Sequence, residues 1–320
     1  MRALRHFIAL VMVLALSSLA LANSSAVDLL KLGRADEARR ALNATIAENP
    51  NDAQAYNLLC RVYFQLERWD SALRMAEKSV ALDPENSNYH LWLGRAAGRK
   101  AENSNPFTAW GLARRVRAEF ERAVALDGKN AEARSDLAEY YLEAPGFLGG
   151  DRKKARDQGD AVAPYDPALA SYIYARVEEK QGNDRAEQLY KKAVAESGGG
   201  ARYLMELAYF YRRAGRMQDM EQAVTQALAA PRKGGVPEYD GAYLLMRTGR
   251  NYKGAVQMLR HYLEGDDPVE DGPSFRAHYM LGALLEKMGD RKGAAQHYRA
   301  ALALASDYGP ARDALARISR

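Results

Sequence analysis

Apolar and small residues recur along this chain at helical spacing, and their arrangement returns after about 34 residues. Pro50 and Pro84 stand one such period apart, and so do Ala38 and Ala72. Within each unit the apolar stripe follows the period of a helix rather than the strict alternation of a half-buried strand. The pattern therefore predicts an all-α protein built from repeated helical units.

The recurrence extends over both halves of the chain. In the first half it is carried by the motif Tyr56-x-x-Leu59-Cys60-x-x-Tyr63, which returns as His90-x-x-Leu93-Gly94-x-x-Ala97. In the second half it is carried by Leu207-Ala208 and Gly215, which return as Gly241-Ala242 and Gly249, and then, after a longer connection, as Leu281-Gly282 and Gly289.

Each recurring position has a physical role in a helix–turn–helix unit. Small residues such as Cys60 and Gly282 let the second helix of a unit approach the first closely. Gly215 and Gly249 stand where a left-handed residue ends the first helix. Pro50 closes a unit because proline cannot continue a helix. One such unit cannot bury its apolar face alone, so stability is expected to come from stacked neighbours.

A repeat of this period with these positions resembles the tetratricopeptide repeat, and the resemblance covers nearly all of the chain after Ala22. The resemblance implies a right-handed superhelical solenoid. It also implies a concave groove, lined by the first helix of each unit, that binds an extended peptide or a partner helix. We call the first helix of a unit helix A and the second helix B.

The predicted organisation has three parts. Residues 1–22 form a signal peptide, residues 23–308 a solenoid of about seven full repeats after a partial first one, and residues 309–320 a C-terminal capping helix. The predicted units are about 24–52, 53–86, 87–130, 131–166, 167–200, 201–234, 235–274 and 275–308.

The N-terminus has the three-part pattern of a secretory signal peptide. Arg2 and Arg5 form a basic start, residues 7–16 an apolar run, and Ala20-Leu21-Ala22 a small-residue cleavage site. The alternative is a retained membrane anchor. No cysteine stands where a lipoprotein would need one, and no later stretch is long enough to span a membrane. We therefore expect a periplasmic or secreted protein.

Composition argues against several classes of function. The formal charge of +5 includes Arg2 and Arg5 of the predicted signal peptide, so about +3 remains after cleavage. A positive charge this small does not favour nucleic acid as a partner. Cys60 is the only cysteine, which excludes an internal disulfide and thiolate zinc sites, and we expect it to be a buried apolar residue. His261, His278 and His297 could approach one another across the seventh and eighth units, but they lack the defined spacing of metal ligands. No nucleophile–base motif occurs, so the sequence predicts a non-enzyme without metal, cofactor or small-molecule substrate.

Two segments depart from the repeat period. The third unit is too long, and residues 107–127 are predicted to form one long helix with an apolar stripe through Trp110 and Phe120. Its basic side is either a solvated surface or a docking element for a partner. The fourth unit carries residues 144–151, a glycine-rich loop in which Phe147 is expected to point inward.

Helix A positions that face the groove in the resembled family are rich in arginine and tyrosine here, the residue types that carry binding hot spots. This composition favours an acidic or carboxylate-terminated peptide. The candidate groove residues are Asn57, Arg61, Arg95, Arg99, Arg202, Tyr209, Arg212, Arg213, Tyr239, Tyr243, Arg247, Arg276 and Tyr279.

The predicted function is an exported scaffold that binds a protein or peptide in this groove, with an acidic partner favoured. The alternative is a non-catalytic accessory or regulatory subunit of an envelope enzyme or of a polysaccharide-export complex. Co-purification of an enzyme would favour that alternative.

Overall fold

A computed structural model of the chain describes residues 25–230, 237–265 and 267–319. The predicted signal peptide, residues 1–22, lies outside the described residues. Every regular element in the described part is helical, with no strand, as the periodicity predicted. Nowhere in these ranges is a helix both long and apolar enough to cross a bilayer.

The helices follow one another with short connections, and we number them in chain order. They are α1 (25–31), α2 (Ala35–Glu48), α3 (Ala53–Gln65), α4 (Trp69–Leu82), α5 (Ser87–Glu102), α6 (Pro106–Leu126), α7 (Ala131–Glu143), α8 (Arg152–Val162), α9 (Pro167–Lys180), α10 (Arg185–Glu196), α11 (Ala201–Arg213), α12 (Met217–Ala229), α13 (Pro237–Thr248), α14 (Tyr252–Glu264), α15 (Ser274–Lys287), α16 (Arg291–Leu304) and α17 (Gly309–Ile318).

Odd-numbered helices from α1 to α15 are the A helices, and the even-numbered helix that follows each one is its B helix. Each pair packs together, and each unit packs on the next, which is the arrangement of a solenoid. A helices of neighbouring units also contact one another, including α3 with α5, α7 with α9 and α11 with α13. The A helices therefore lie on the inner, concave side.

Close approach within a unit depends on the small residues that the sequence singled out. A Cβ atom added to Gly282 would lie 2.7 Å from Cδ1 of Tyr298, so only glycine fits against that fully buried ring. Cys60 occupies the equivalent place in α3 and is fully buried, as predicted. Burial raises the pKa of its thiol to about 12, which makes it an unreactive packing residue.

The first repeat packs against the last one. Phe275 of α15 is fully buried in a cluster with Leu30 and Leu42 of the first repeat, and Tyr308 completes the cluster by stacking edge-on against Phe275. Gly33 ends α1 with a φ of +65° and touches the backbone of Pro273. The superhelix thus closes on itself, which the sequence did not predict.

Polar contacts reinforce this closure. Arg61 forms a two-pronged ion pair with Glu270, with Nε 2.8 Å from Oε1. Arg276 donates from Nε to the carbonyl oxygen of Gln65 at 2.9 Å and pairs with Glu67 at 3.1 Å. Arg61 and Arg276, both candidate groove residues, are therefore engaged in joining the two ends of the solenoid.

The long helix of the third unit is present as α6, but the loop of the fourth unit departs from expectation. The prediction that Phe147 points inward is wrong: its side chain is 69% exposed, whereas its neighbour Leu148 is buried. A short 3₁₀ turn, Gly146–Leu148, rotates the chain so that Leu148 takes the inner place. The hydroxyl of Tyr140 holds this turn by donating to the Leu148 carbonyl oxygen at 2.9 Å.

Candidate functional site

The candidate groove residues all lie on A helices. The structure places Asn57 and Arg61 on α3, Arg95 and Arg99 on α5, Arg202, Tyr209, Arg212 and Arg213 on α11, Tyr239, Tyr243 and Arg247 on α13, and Arg276 and Tyr279 on α15. Their surroundings differ, and most of the arginines have carboxylate partners within the chain.

A series of arginine–carboxylate pairs links successive A helices, and we call it the arginine ladder. Arg95 of α5 reaches Asp136 of α7 with Nε 2.6 Å from Oδ2. Arg213 of α11 grips Glu179 of α9 with two hydrogen bonds of 2.6 and 2.9 Å. Two of the candidate groove arginines, Arg95 and Arg213, therefore cross-link neighbouring repeats.

Arg176 of α9, which sequence reasoning missed, is the centre of the ladder. It is 7% exposed and pairs with Glu139, Glu143 and Glu179. Burial opposes ionisation of Glu179, yet hydrogen bonds from Arg213 and Tyr190 lower the pKa of that carboxyl. The sequence signal that indicates Arg176 is the run of glutamates on α7. These glutamates interrupt the basic groove, and the arginine that pairs with them stands in the next unit.

Other candidate groove residues are either paired with a side chain of the same chain or buried. Arg99 pairs with Glu102 at 2.6 Å and lies over the ring of Trp69 at 5.0 Å. Asn57 is buried, and its Nδ2 atom has no hydrogen-bond partner among the described residues. Tyr239 is buried edge-on against Tyr262. Tyr279, half-buried, contacts the ring of Tyr298 within its own unit and the ring of Tyr308 at the closure.

The ladder ends at α11, and a basic cleft opens there. A cleft of about 430 Å³, which we call the arginine cleft, is lined by Arg212, Arg213, Met217, Arg247, Thr248 and Arg250. Arg213 is held by Glu179 and Arg250 by Glu221. In the described part of the chain no carboxylate pairs with Arg212 or Arg247.

The repeat period explains why the ladder ends here. Arg247 stands one period after Arg213, which itself stands one period after Glu179. The position at which a carboxylate would pair with Arg247 is therefore occupied by Arg213. Two guanidinium groups are left facing solvent without a countercharge from the described chain, which favours an anionic ligand.

Two half-buried tyrosines adjoin the arginine cleft. Arg212 lies over the ring of Tyr209 at 6.0 Å, and Tyr243 occupies the position one repeat later than Tyr209. Arg202, also on α11, is exposed and lies over the ring of Tyr203 at 5.6 Å. The structure therefore brings together a subset of the predicted site: Tyr209, Arg212, Arg213, Tyr243 and Arg247.

Two carboxylates on the same concave face were missed from the sequence. Glu206 and Asp240 occupy the same position of α11 and α13, one repeat period apart. Burial, together with the nearby charges of Glu206 and Asp271, raises the pKa of Asp240 to about 7. Burial likewise raises the pKa of Glu206. The inner face thus holds incompletely compensated negative charge beside the arginine cleft.

Replacing Asp240 with asparagine is expected to stabilise the protein above pH 7 and to have no effect near pH 3.5. The pKa of Asp240 is raised on folding, so the unfolded chain ionises first and native stability falls as the pH rises from about 4 to about 7. An uncharged amide avoids this loss of stability. Above pH 7 we expect Asp240→Asn to stabilise the protein by about 2 kcal/mol, a figure reduced to account for screening of the charge by water in the groove.

Thermal unfolding followed by circular dichroism at the two pH values measures this difference. Asp157→Asn is the matched control, because Asp157 is an exposed carboxylate on α8. A stabilisation by Asp240→Asn that is equal at both pH values would contradict the raised pKa.

Histidines do not assemble a metal site in the described chain. His278 and His297 lie with their Nδ1 atoms 3.1 Å apart, and burial beside His297 lowers the pKa of His278 to about 4. His261 instead lies 3.3 Å from Glu238. No group of three histidine, cysteine or carboxylate side chains in the described ranges could hold a metal ion.

Comparison with known proteins identifies the repeats. Tetratricopeptide repeat family models match residues 29–96 and residues 275–308. The chain therefore contains tetratricopeptide repeats at both ends of the solenoid, and these two ends meet at the closure.

Solved structures share the architecture. A thermophilic TPR protein of Thermus thermophilus is 22% identical with a TM-score of 0.50, over 60% of this chain and 98% of that one. Yeast Tom70 is 15% identical with a TM-score of 0.52, over 89% of this chain and 58% of that one. Identities this low show the fold alone.

Proposed function

We propose that this chain is an exported, non-catalytic scaffold that binds an acidic segment of a partner protein in its concave groove. Tetratricopeptide repeat proteins generally mediate protein–protein interaction through such concave surfaces. The observation that carries the proposal is that Arg212 and Arg247 line one cleft without a carboxylate partner in the described chain. Every other arginine of the candidate groove except Arg202 is already bound to an acidic side chain.

The chemistry of the cleft suits a carboxylate. A guanidinium group can donate two parallel hydrogen bonds to a carboxylate, and each such bond contributes roughly 1.5–3 kcal/mol when water is excluded. The half-buried rings of Tyr209 and Tyr243 add apolar area beside the charges. Two arginine contacts and one tyrosine contact support micromolar affinity, which suits a reversible scaffold.

The exported location is part of the proposal and rests on the sequence of residues 1–22 alone. It predicts that the protein isolated from envelope fractions begins at Asn23. The partner would then be another envelope protein.

Affinity purification from an envelope extract tests the binding site. The double variant Arg212→Glu with Arg247→Glu is expected to recover the partner at least tenfold less well than the wild type, because both guanidinium groups are replaced by like charges for an acidic ligand. Arg213 is left unchanged, since removing it would break the ladder at Glu179 and confuse binding with stability.

The matched control is Arg40→Glu with Arg299→Glu. Both arginines are exposed on B helices, α2 and α16, so the net charge changes equally while the groove stays intact. If the two double variants recover the partner equally, the arginine cleft is not the site. If the recovered partner is an envelope enzyme or a polysaccharide-export protein, the chain acts as its accessory subunit.

A further inference from the structure

The two segments that interrupt the repeat period pack against each other. Trp110, on the first turns of α6, meets Phe147 edge-on with ring centroids 6.0 Å apart. Further along α6, the side chain of Arg117 runs beneath Gly149, where a Cβ atom would meet its Cζ atom at 3.1 Å. Two insertions in successive repeats therefore build one surface.

This surface exposes three large aromatic side chains, which we call the aromatic rim. Phe107 is 82% exposed, Trp110 47% and Phe147 69%, and Phe107 lies 5.9 Å from Trp110 between ring centroids. Single exposed apolar residues are common, but a contiguous aromatic group of this kind marks an interaction surface. Aromatic side chains of this type are also typical anchors in protein interfaces.

An open cleft of about 500 Å³, which we call the insertion cleft, lies beside the rim between α5, α6, α7 and the loop that follows α7. Its volume lies within the range of ligand-binding clefts. Its apolar lining includes Phe64, Gly98, Ala113, Val116, Pro145 and Leu148. Since α5 and α7 are A helices, the insertion cleft opens into the concave groove that also contains the arginine cleft.

Charged side chains around the insertion cleft already have partners. Arg95 is bound to Asp136, and Arg99 to Glu102. Glu143 is bound to Arg176 and also to Lys180, with Nζ 2.6 Å from Oε2. A charged ligand would gain no free countercharge here and would have to break existing pairs. The complementary ligand is therefore an uncharged apolar segment.

We propose that the insertion cleft and the aromatic rim bind an uncharged apolar segment of the same partner whose acidic segment binds Arg212 and Arg247. This inference rests on the proposed function. Three A-helix spacings separate the gap between α5 and α7 from the gap between α11 and α13. At about 8–10 Å per spacing the two sites are roughly 25–30 Å apart, which about eight extended residues span.

Fluorescence anisotropy with synthetic peptides tests the inference on the full chain. The three probes are an oligoglutamate peptide, a peptide of leucine and tryptophan flanked by serine, and a peptide joining both through a flexible glycine–serine linker. The linker has about 25 residues, so that its root-mean-square length matches the distance between the two sites. The joined peptide is expected to bind at least tenfold more tightly than the oligoglutamate peptide, because the second contact is intramolecular.

Trp110→Ala with Phe147→Ser is expected to abolish this tenfold gain while leaving the affinity for the oligoglutamate peptide unchanged. Phe147→Ser alone, in an exposed loop, is expected to reduce the gain without affecting folding, as circular dichroism would verify. Met288→Ser is the matched control, since Met288 is also an exposed apolar side chain but lies at the end of α15, outside both clefts.

The outcomes separate the two proposals. If the oligoglutamate peptide binds but the joined peptide binds no more tightly, the further inference is wrong and the proposed function stands. If the apolar peptide binds through the rim while the oligoglutamate peptide does not bind, the proposed acidic partner is wrong. If no peptide binds, both are wrong. Rim-dependent binding to phosphatidylglycerol vesicles without peptide binding would make the rim a lipid surface and overturn the inference.

Discussion

Replacing Gly33 with alanine is expected to lower the free energy of unfolding by about 4 kcal/mol and to loosen both ends of the solenoid at once. Gly33 has a φ of +65°, a conformation that costs a residue with a Cβ atom about 1 kcal/mol. Its Cβ atom would also lie 2.9 Å from the carbonyl carbon of Pro273 and closer still to the amide nitrogen of Ser274. Neither backbone atom can yield as a flexible side chain would, so the closure must open.

Gly215→Ala isolates the contribution of the closure. Gly215 ends α11 with a φ of +74°, but a Cβ atom there would meet nothing within 4 Å. This control therefore carries the conformational cost alone, about 1 kcal/mol. Chemical denaturation measures the difference between the two variants.

Hydrogen exchange shows where the structure loosens. Gly33→Ala is expected to lower amide protection in α1 and α2 and also, at the opposite end of the chain, in α15 to α17, because the two regions share one apolar cluster. Loss confined to the first repeat would contradict the closure.

The repeat architecture was predictable because its determinants are local. Small residues such as Gly94 and Gly282, turn glycines and apolar stripes recur within each unit, and helix–turn–helix contacts join residues close in sequence. The closure was not predictable in this way. Contacts such as that of Gln65 Nε2 with the carbonyl oxygen of Glu270 depend on how a small rotation per repeat accumulates along the whole solenoid.

The candidate site was predicted in residue type but not in electrostatic state. Assigning inward positions one unit at a time placed Arg95 and Arg213 on A helices, where the structure has them. Their partners Asp136 and Glu179 stand in neighbouring units, so the pattern of a single unit does not reveal these ion pairs. Comparing charges between successive units would have distinguished paired arginines from unpaired ones.

Phe147 illustrates a different limit. In the sequence Pro145-Gly146-Phe147-Leu148, two adjacent apolar side chains compete for one buried place, and side-chain size alone favours the larger one. The 3₁₀ turn decides in favour of Leu148 because the hydroxyl of Tyr140 binds that residue's carbonyl oxygen. The exposed Phe147 then becomes available for the aromatic rim.

Replacing Arg176 with methionine is expected to destabilise the protein by about 3 kcal/mol, because it removes a nearly buried guanidinium group that binds three carboxylates. Of these, Glu179 is mostly buried, whereas Glu139 and Glu143 are half-exposed. Glu179 retains Arg213 and Tyr190, and Glu143 retains Lys180. Glu139 loses the guanidinium group that binds it. Hydrogen exchange is expected to report the loss mainly in α7 and α9, the two helices that Arg176 joins.

Two comparisons make the result specific. Arg122→Met removes an ion pair between α6 and the exposed carboxylate of Glu85, and it is expected to cost less than about 1 kcal/mol because both partners are solvated. Adding Glu139→Gln to Arg176→Met is expected to recover part of the lost stability, since it removes a carboxylate left without its cation. If Arg176→Met costs no more than Arg122→Met, the ladder does not stabilise the solenoid, and its arginines are free to serve a ligand.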